Sequence, residues 1–481
     1  MKPAKLISAV VSSCLAMSLL FSPAAQAAEN AQAASNMDLI NEIMQYLEDY
    51  NVEGVDRDTL IRGAIDGMVN TLEDPYSTYF TKEEAAEFEH QVDLEYVGIG
   101  IRMMYIPSSK ELYIEEVLAG SPAEQAGLKR GDTIVKINGV AIGDTSGDEL
   151  AGAAGTKVTL LISRNGASKT IVVTRNAITS ASVTGQIIGG NTAYIALTGF
   201  SQSADEEFAK VLANMRTAGM KSLVLDLRDN TGGYMDTAYN IASMFMDSGI
   251  MMYTSDQSGA LTPVTITSGT KIGVPVVVLT NEYTASASEA LTGALRDNKL
   301  ATIVGTRSYG KARIQSLLPV SNGDMLKLTT MKYLTPNKED FNHIGLAPDI
   351  EVQGSKTAQL VTALRIAGLT TITLAGDNHI LDVNGRAFAG NLGLLKQNNR
   401  VYASARVLAA LVESDITWDS KNKKAVFTNG AGKVFGFTLA SKEAVSKDNE
   451  TLIDVSAFAK KFPALTWSYN AAANQLKLSV K

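Results

Sequence analysis

The run Val274-Pro275-Val276-Val277-Val278-Leu279 offers no polar position that could face water. It therefore reads as a strand buried on both faces, the situation of a mostly parallel sheet with layers above and below it. The small-residue turn Thr284-Ala285-Ser286-Ala287-Ser288 follows, and then Glu289-Ala290-Leu291-Thr292-Gly293-Ala294-Leu295, which has helical spacing. A strand that runs through a tight turn into a helix N-terminus places a hydroxyl where free backbone N–H groups stabilise an oxyanion. The turn can hold a nucleophile.

A serine needs a base. The three histidines, His90, His343 and His379, lie neither in a second strand-turn-helix unit nor close behind this one. Lys311 does lie close behind it, in Ser308-Tyr309-Gly310-Lys311, with Ile303-Val304 before and Ile314 and Leu317-Leu318 after. A lysine held between apolar segments gives up its proton more readily, because burial disfavours the charged form. TASASEAL followed by SYGKARIQ resembles the C-terminal processing (tail-specific) peptidases, serine proteases with a Ser-Lys pair. In that family the lysine follows the serine by 25 residues and a glutamine follows the lysine by four, so the resemblance selects Ser286, Lys311 and Gln315 and leaves Ser288 out of register. Ala312-Arg313 stands where the family usually has Gly-Ser. In a straight strand residues four apart share a face at roughly 13 Å, so Gln315 can hold Lys311 only if the backbone bends near Gly310. Each residue alone has an ordinary explanation: Ser-Ala-Ser as a helix cap, a lysine after glycine as a solvated charge. The spaced set points to catalysis.

At 481 residues the chain exceeds what one core spans, roughly 250 to 300 residues, so several domains are expected. Lys2 and Lys5, the apolar run 6–21 and Ala25-Gln26-Ala27 read as a secretory signal over residues 1–27, with an apolar core too short for a membrane span. The protein is then exported, secreted or extracytoplasmic, with surface association left open. Cys14, the only cysteine, falls inside this segment. Val11-Ser12-Ser13-Cys14 loosely resembles a lipoprotein box, but the apolar run continues past it, which favours ordinary cleavage. One thiol cannot pair within the chain, so the exported protein relies on its core alone. Loss of Lys2 and Lys5 with the signal takes the formal net charge from −7 to −9, which disfavours nucleic acid as a partner.

Residues 28–91 are expected to form a helical N-terminal region. Leu39, Ile40, Ile43, Met44 and Leu47 have amphipathic spacing, continued by Leu60-Ile61, Ala64-Ile65 and Met68-Val69 until Asp74-Pro75. GAIDGMVNTLEDPYSTYF resembles the helical N-terminal part of the same family, where such helices pair subunits into a homodimer; a helical cap on the protein's own core is the alternative. Residues 92–176 come next. Val97-Gly98-Ile99-Gly100-Ile101 and Leu112-Tyr113-Ile114-Glu115-Glu116-Val117 read as strands, Ser121-Pro122 as a capped helix start, and Asp132 to Gly139 as a strand ending in a hairpin turn. YVGIGI, SPAEQAGLKRGDTIVKINGV and GTKVTLLISR together resemble a PDZ domain. The glycines leave the amides of Val97, Gly98, Ile99, Gly100 and Ile101 uncovered, so a peptide's terminal carboxylate can dock there while the peptide adds a strand. Relatives carry a longer helix before Gly155-Thr156, ending in an arginine that couples PDZ to protease. Asp148-Glu149-Leu150-Ala151-Gly152-Ala153-Ala154 is shorter and has none.

Residues 177–370 repeat the strand, small turn and helix of the Ser286 region. Ser222-Leu223-Val224-Leu225-Asp226-Leu227-Arg228 is a strand, Asp229-Asn230-Thr231-Gly232-Gly233 a turn, and 235–246 a helix. DLRDNTGG resembles the family segment that gives one oxyanion-hole amide, here Gly232 or Gly233; the resemblance takes the other from Ala287. Asp226 and Arg228 read as braces. His343-Ile344-Gly345-Leu346-Ala347-Pro348-Asp349 resembles a family signature, with His343 structural. Residues 371–481 contain two α+β repeats, Trp418 and Trp467 being 49 positions apart. NNRVYASARVLAALVESDITWD resembles the domain named after the N-terminal region of copper amine oxidases, an add-on of exported bacterial proteins open to cell-wall or regulatory protein contact. No metal and no cofactor is expected.

The expected class is multidomain α+β: helical N-terminal region, PDZ domain, α/β layered serine protease core and small repeated α+β C-terminal domain. The expected function is a secreted serine endopeptidase acting on proteins or peptides with exposed C-terminal tails. The alternative is a tail-binding scaffold that keeps the fold and has lost turnover.

Overall fold

The computed structural model describes residues 23–106, 111–143, 148–164, 166–447 and 449–481. The expected signal therefore falls mostly, and Cys14 wholly, outside the described residues. The chain divides into two compact units, Met1–Tyr79 and Phe80–Lys481.

In the first unit, helices α1 (Pro23–Tyr50) and α2 (Arg57–Asn70) are joined by a turn. Asp56 caps α2 by accepting the Thr59 N–H at 2.8 Å, and Arg57 pairs with Glu48 at 2.9 Å. The periodic residues Leu39, Ile40 and Ile43 are exposed, and α2 buries none of its residues. The helical pattern stops at Asn70, earlier than Asp74-Pro75, and residues 71–81 form turns and a short strand. Helix α3 (Lys82–Val92) then opens the second unit with a capping box between Thr81 and Glu84.

The PDZ sheet runs in the order Ile101–Ile106, Glu111–Val117, Thr133–Ile137, Lys157–Arg164, Ala167–Thr174, which leaves Ile101–Ile106 at an edge. Ile114, Ile134, Val158 and Leu160 fill its core, and the short helix α4 (Pro122–Gln125) starts on a Ser121 cap. The stretch 97–101, read from sequence as one strand, is broken. Glu95–Gly98 pairs with Asn176–Thr179, and a new strand starts at Ile101 after Gly100 turns the chain at φ 81°. Among the described residues, the segment before Gly155-Thr156 forms the three-residue 3-10 turn Asp148–Leu150 and no longer helix.

The catalytic-type core is a six-stranded sheet in the order Val183–Ile188, Thr192–Leu197, Ser222–Asp226, Val276–Thr280, Ala301–Gly305, Ile350–Glu351, parallel except for its first pair. Successive strand residues point to opposite faces, and the two faces have different partners. Leu223, Leu225, Val276, Val278 and Ile303 pack with helices α5 (Ala204–Thr217), α6 (Met235–Ala242) and α7 (Ala287–Asp297). Val224, Val277, Leu279 and Val304 pack with helix α8 (Lys356–Ile366) and share one cluster with the C-terminal residues Leu374, Leu381, Val383 and Phe388. The C-terminal region is thus no detached add-on; its core is continuous with one face of this sheet.

That region shows the two expected repeats. Helix α9 (Ala405–Leu411) precedes the hairpin Ser414–Asp419/Lys424–Asn429, and helix α10 (Val455–Lys461) precedes Leu465–Asn470/Gln475–Val480. The last strand also pairs with Ile372–Gly376, so the two ends of the region lie side by side.

Candidate active site

Two turns leave neighbouring parallel strands of the sheet and end at helix starts, residues 281–286 before α7 and 229–233 before α6. Ser286 sits at φ 57°, ψ −120°, a conformation that costs a non-glycine residue about 1–3 kcal/mol and persists only where its surroundings impose it. They do so here. Its N–H donates to Glu289 Oε2 at 2.9 Å, its carbonyl accepts from Glu289 N–H and Ala290 N–H, and Ala285 N–H donates to Asn230 O at 3.0 Å. Ser288 is fully buried and spends its hydroxyl on Asn230 O at 3.0 Å, so of the two serines only Ser286 keeps some exposure.

Glu289 is the residue that sequence reasoning passed over. It is fully buried, and its two oxygens gather four donors. Oε2 takes Ser286 N–H and Lys311 N–H at 2.9 and 2.8 Å; Oε1 takes Gly310 N–H at 2.7 Å and the Ser308 hydroxyl at 2.5 Å. One carboxylate therefore fastens the serine turn to the lysine turn. Burial pushes the Glu289 carboxyl up, and the four donors pull the other way without cancelling it, so the carboxyl lies above its ordinary value. The signal was present as Ser-x-x-Glu, half of a capping box. What hid its second role is that its other donors lie 19 to 22 residues further on.

Tyr333 makes a second tie, its hydroxyl lying 2.7 Å from Lys311 O and 2.9 Å from Ser286 O. The bend required near Gly310 is there, at φ 93°, with no space for a side chain, since a Cβ would fall 2.7 Å from Gly345 N. Residues 341–346 wrap this turn: His343 N–H donates to Gly310 O and Leu346 N–H to Ser308 Oγ. The exposed His343 side chain takes no part in those bonds, consistent with a structural role. Ala312, at the departure from the family pattern, is buried in the core and bonds through its N–H to Asn342 Oδ1. Lys311 is partly buried. Gln315 lies on the strand Arg313–Pro319 beyond a register shift, and its amide donates to Thr329 Oγ1 at 3.1 Å.

The glycine turn packs directly on the serine. A Cβ on Gly232 would lie 2.8 Å from Ser286 Cβ and 3.0 Å from Ala287 N. Gly232 N–H is committed to Asn230 Oδ1 at 2.9 Å. Gly232 O and Tyr234 N–H both bond to Phe200, which turns the N–H of Gly233 to the opposite side. Among the described residues, no acceptor takes the N–H of Gly233 or of Ala287. Asn230, also missed from sequence, is fully buried and holds Leu197 O, Gly232 N–H, Ala285 N–H and Ser288 Oγ together. Below the turn, Arg228 grips Asp226 with two donors while Tyr194 OH donates to the same carboxylate at 2.7 Å. Burial opposes the Asp226 charge, but the Arg228 guanidinium outweighs it and holds the carboxyl below its usual range, a brace as expected.

In the PDZ loop, Val97 and Gly98 belong to one ladder and Ile101 to another. The Ile99 side chain packs in the core of this domain, and its amide lies in the loop between the two ladders. The carbonyls of Ile99 and Gly100 accept Ala123 N–H and Leu118 N–H, while their own N–H groups have no acceptor among the described residues.

The chain matches the peptidase family S41 over residues 191–352, the N-terminal domain of the activating protease CtpB over 17–84, a PDZ domain over 113–164 and the copper amine oxidase N-terminal domain over 382–465. It is 30% identical over 362 residues to the carboxy-terminal processing protease CtpA of Bacillus subtilis (strain 168), covering 74% of this chain and 77% of that protein. It is 33% identical over 339 residues to a probable CtpA-like serine protease of Staphylococcus aureus (strain COL), covering 69% and 68%. Among solved structures it is similar to a photosystem II D1 C-terminal processing protease, at 30% identity and TM-score 0.43 over 64% of this chain and 84% of that one. The chain belongs to peptidase family S41 and is a serine-type peptidase of the C-terminal processing kind, carrying a PDZ domain and a copper-amine-oxidase-N-like domain.

Proposed function

We propose that the protein is an exported endopeptidase that captures the C-terminal tail of a protein or peptide through its PDZ domain and cuts peptide bonds near it. Ser286 is the nucleophile and Lys311 its base. The observation that carries this reading is the shared oxygen of Glu289, which holds the backbones of both residues within one hydrogen bond of the same atom. The neutral amine of Lys311 takes the Ser286 proton as Oγ attacks the carbonyl carbon. The tetrahedral oxyanion is received by the N–H groups of Ala287 and Gly233, the latter preferred because Gly232 N–H is already committed. The ammonium then protonates the departing amine, and water releases the acyl group by the same route. With its nitrogen given to Thr329, Gln315 has its amide oxygen left to orient Lys311.

The tail carboxylate meets the free amides of Ile99 and Gly100, and the peptide adds to the edge strand Ile101–Ile106. The short wall at Asp148–Leu150 leaves side-chain selection there weak. The exposed apolar residues of α1 pair two copies of the chain, and exposed Trp418 and Trp467 give the C-terminal repeats a surface for a wall polymer or a regulatory protein.

Purified Ser286→Ala and Lys311→Ala, each compared with wild type on an unstructured protein, should show no cleavage. Wild-type turnover in either removes the mechanism. A wild type that binds tail peptides but cleaves nothing would make the protein a scaffold instead.

A further inference from the structure

Arg130 and Tyr113 join the PDZ domain to the C-terminal domain. Arg130, just before the strand Thr133–Ile137, donates through Nε to Glu115 O inside the PDZ. Its other end crosses over: Nη1 is 3.3 Å from Asp382 Oδ1, and Nη2 donates at 3.2 Å to each of the carbonyls of Leu381 and Phe388. Beside it, Tyr113 stacks on His379 with ring centroids 5.0 Å apart. Leu381, Asp382 and Phe388 belong to one small hairpin, Leu381–Val383 paired with Arg386–Phe388.

The far side of that hairpin touches the catalytic sheet. The Phe388 ring meets Tyr194 edge-on, centroids 4.8 Å apart, and Tyr194 OH donates to Asp226 Oδ2. Burial first, and then the Asp226 charge, raise the Tyr194 phenol well above its ordinary value, so it stays a neutral donor. Asp226 ends the strand that feeds the 229–233 turn, and Arg228 pins both its oxygens. The path from Arg130 to the glycine turn runs through a guanidinium on two backbone carbonyls, a ring edge and a buried acid. These contacts are directional, and they loosen when one partner tilts.

We infer that the hairpin formed by Leu381–Val383 and Arg386–Phe388 couples the position of the PDZ domain to the geometry of the 229–233 turn, with Arg130, Phe388 and Tyr194 as positioning residues. The inference rests on the catalytic reading above. A PDZ domain displaced by a bound tail shifts Arg130, Arg130 shifts the Phe388 carbonyl and ring, and the Tyr194–Asp226 contact passes the change to the oxyanion turn.

The test uses the full chain with three readouts: kcat and KM on an unstructured protein, the rate of Ser286 labelling by a serine-directed fluorophosphonate, and the melting temperature. Arg130→Ala and Phe388→Leu should each lower kcat and the labelling rate roughly 3- to 10-fold while KM changes less. Arg130→Lys should recover part of the loss, and Asp382→Asn, a milder change on the hairpin side, should lower both rates in the same direction. Combining Arg130→Ala with Tyr194→Phe should cost no more than the larger single change, because both break one path. Wild-type kcat and labelling in Arg130→Ala, or a double variant whose loss is the product of the two singles, overturns the coupling. A wild type that neither cleaves nor labels at Ser286 overturns the catalytic reading first, and the coupling with it.

Discussion

The 229–233 and 281–286 turns leave adjacent strands and reach adjacent helices, yet they carry opposite chemistry. The first is all backbone. Its glycines sit at φ 105° and 141° with neighbours so close that no side chain fits, and one N–H has no acceptor among the described residues. The second presents a side chain, on a serine forced to φ 57° by a carboxylate, a tyrosine hydroxyl and its own helix. The lesson is that an oxyanion site needs emptiness where a nucleophile needs restraint. Asn230 and Glu289 supply the difference, one tying the two turns together and the other tying the second to the lysine.

Gly233→Ala attacks the empty side. Its Cβ would fall 2.2 Å from Phe200 O at a φ that L residues rarely adopt, so the turn must move. Cleavage should drop by about 10²-fold or more, the scale of losing one oxyanion donor, measured as kcat on a protein substrate. Retained activity would return the role to Gly232.

Glu289→Gln attacks the restraint. The amide points its N–H₂ at two of the four donors, leaving them unpaired at a cost of about 1–3 kcal/mol each. Urea unfolding should show that loss, and kcat should fall with it. A pH series sharpens the result. The folded carboxyl lies above its ordinary value, so on raising pH the unfolded chain sheds its proton first. The wild type should therefore lose a small increment of stability as pH climbs from the ordinary carboxylate value toward the raised one, and Glu289→Gln should lose none over that window. Identical slopes in the two proteins would mean that burial does not control this group.

Ser288→Ala should do least. It deletes one buried hydrogen bond to Asn230 O, worth about 1 kcal/mol, and should leave kcat within about threefold of wild type. Abolished cleavage in this variant alone would move the nucleophile two residues on and undo the contrast between the turns.

Whatever depends on a short stretch of chain was legible beforehand. The apolar run before Thr280, the serine turn, the glycine turn, the Ser121-Pro122 helix start and the paired Trp repeats all follow from local spacing and turn chemistry, and the structure contains each of them. Where local pattern ran on too smoothly it misled. The stretch 97–101 alternates like one strand but breaks after Gly98, because Ile99 is drawn into the core while Gly100 can turn at positive φ.

The sequence by itself determined the elements and the interval from Ser286 to Lys311, since propensity, patterning and turn residues act over a few positions. Only the tertiary structure decided that Glu289 joins both turns, that Gly232 spends its amide on Asn230, and that the C-terminal repeats cover a face of the catalytic sheet. Those contacts pair groups whose separation along the chain carries no local signature, and a buried donor or apolar face takes whichever partner the fold brings to it.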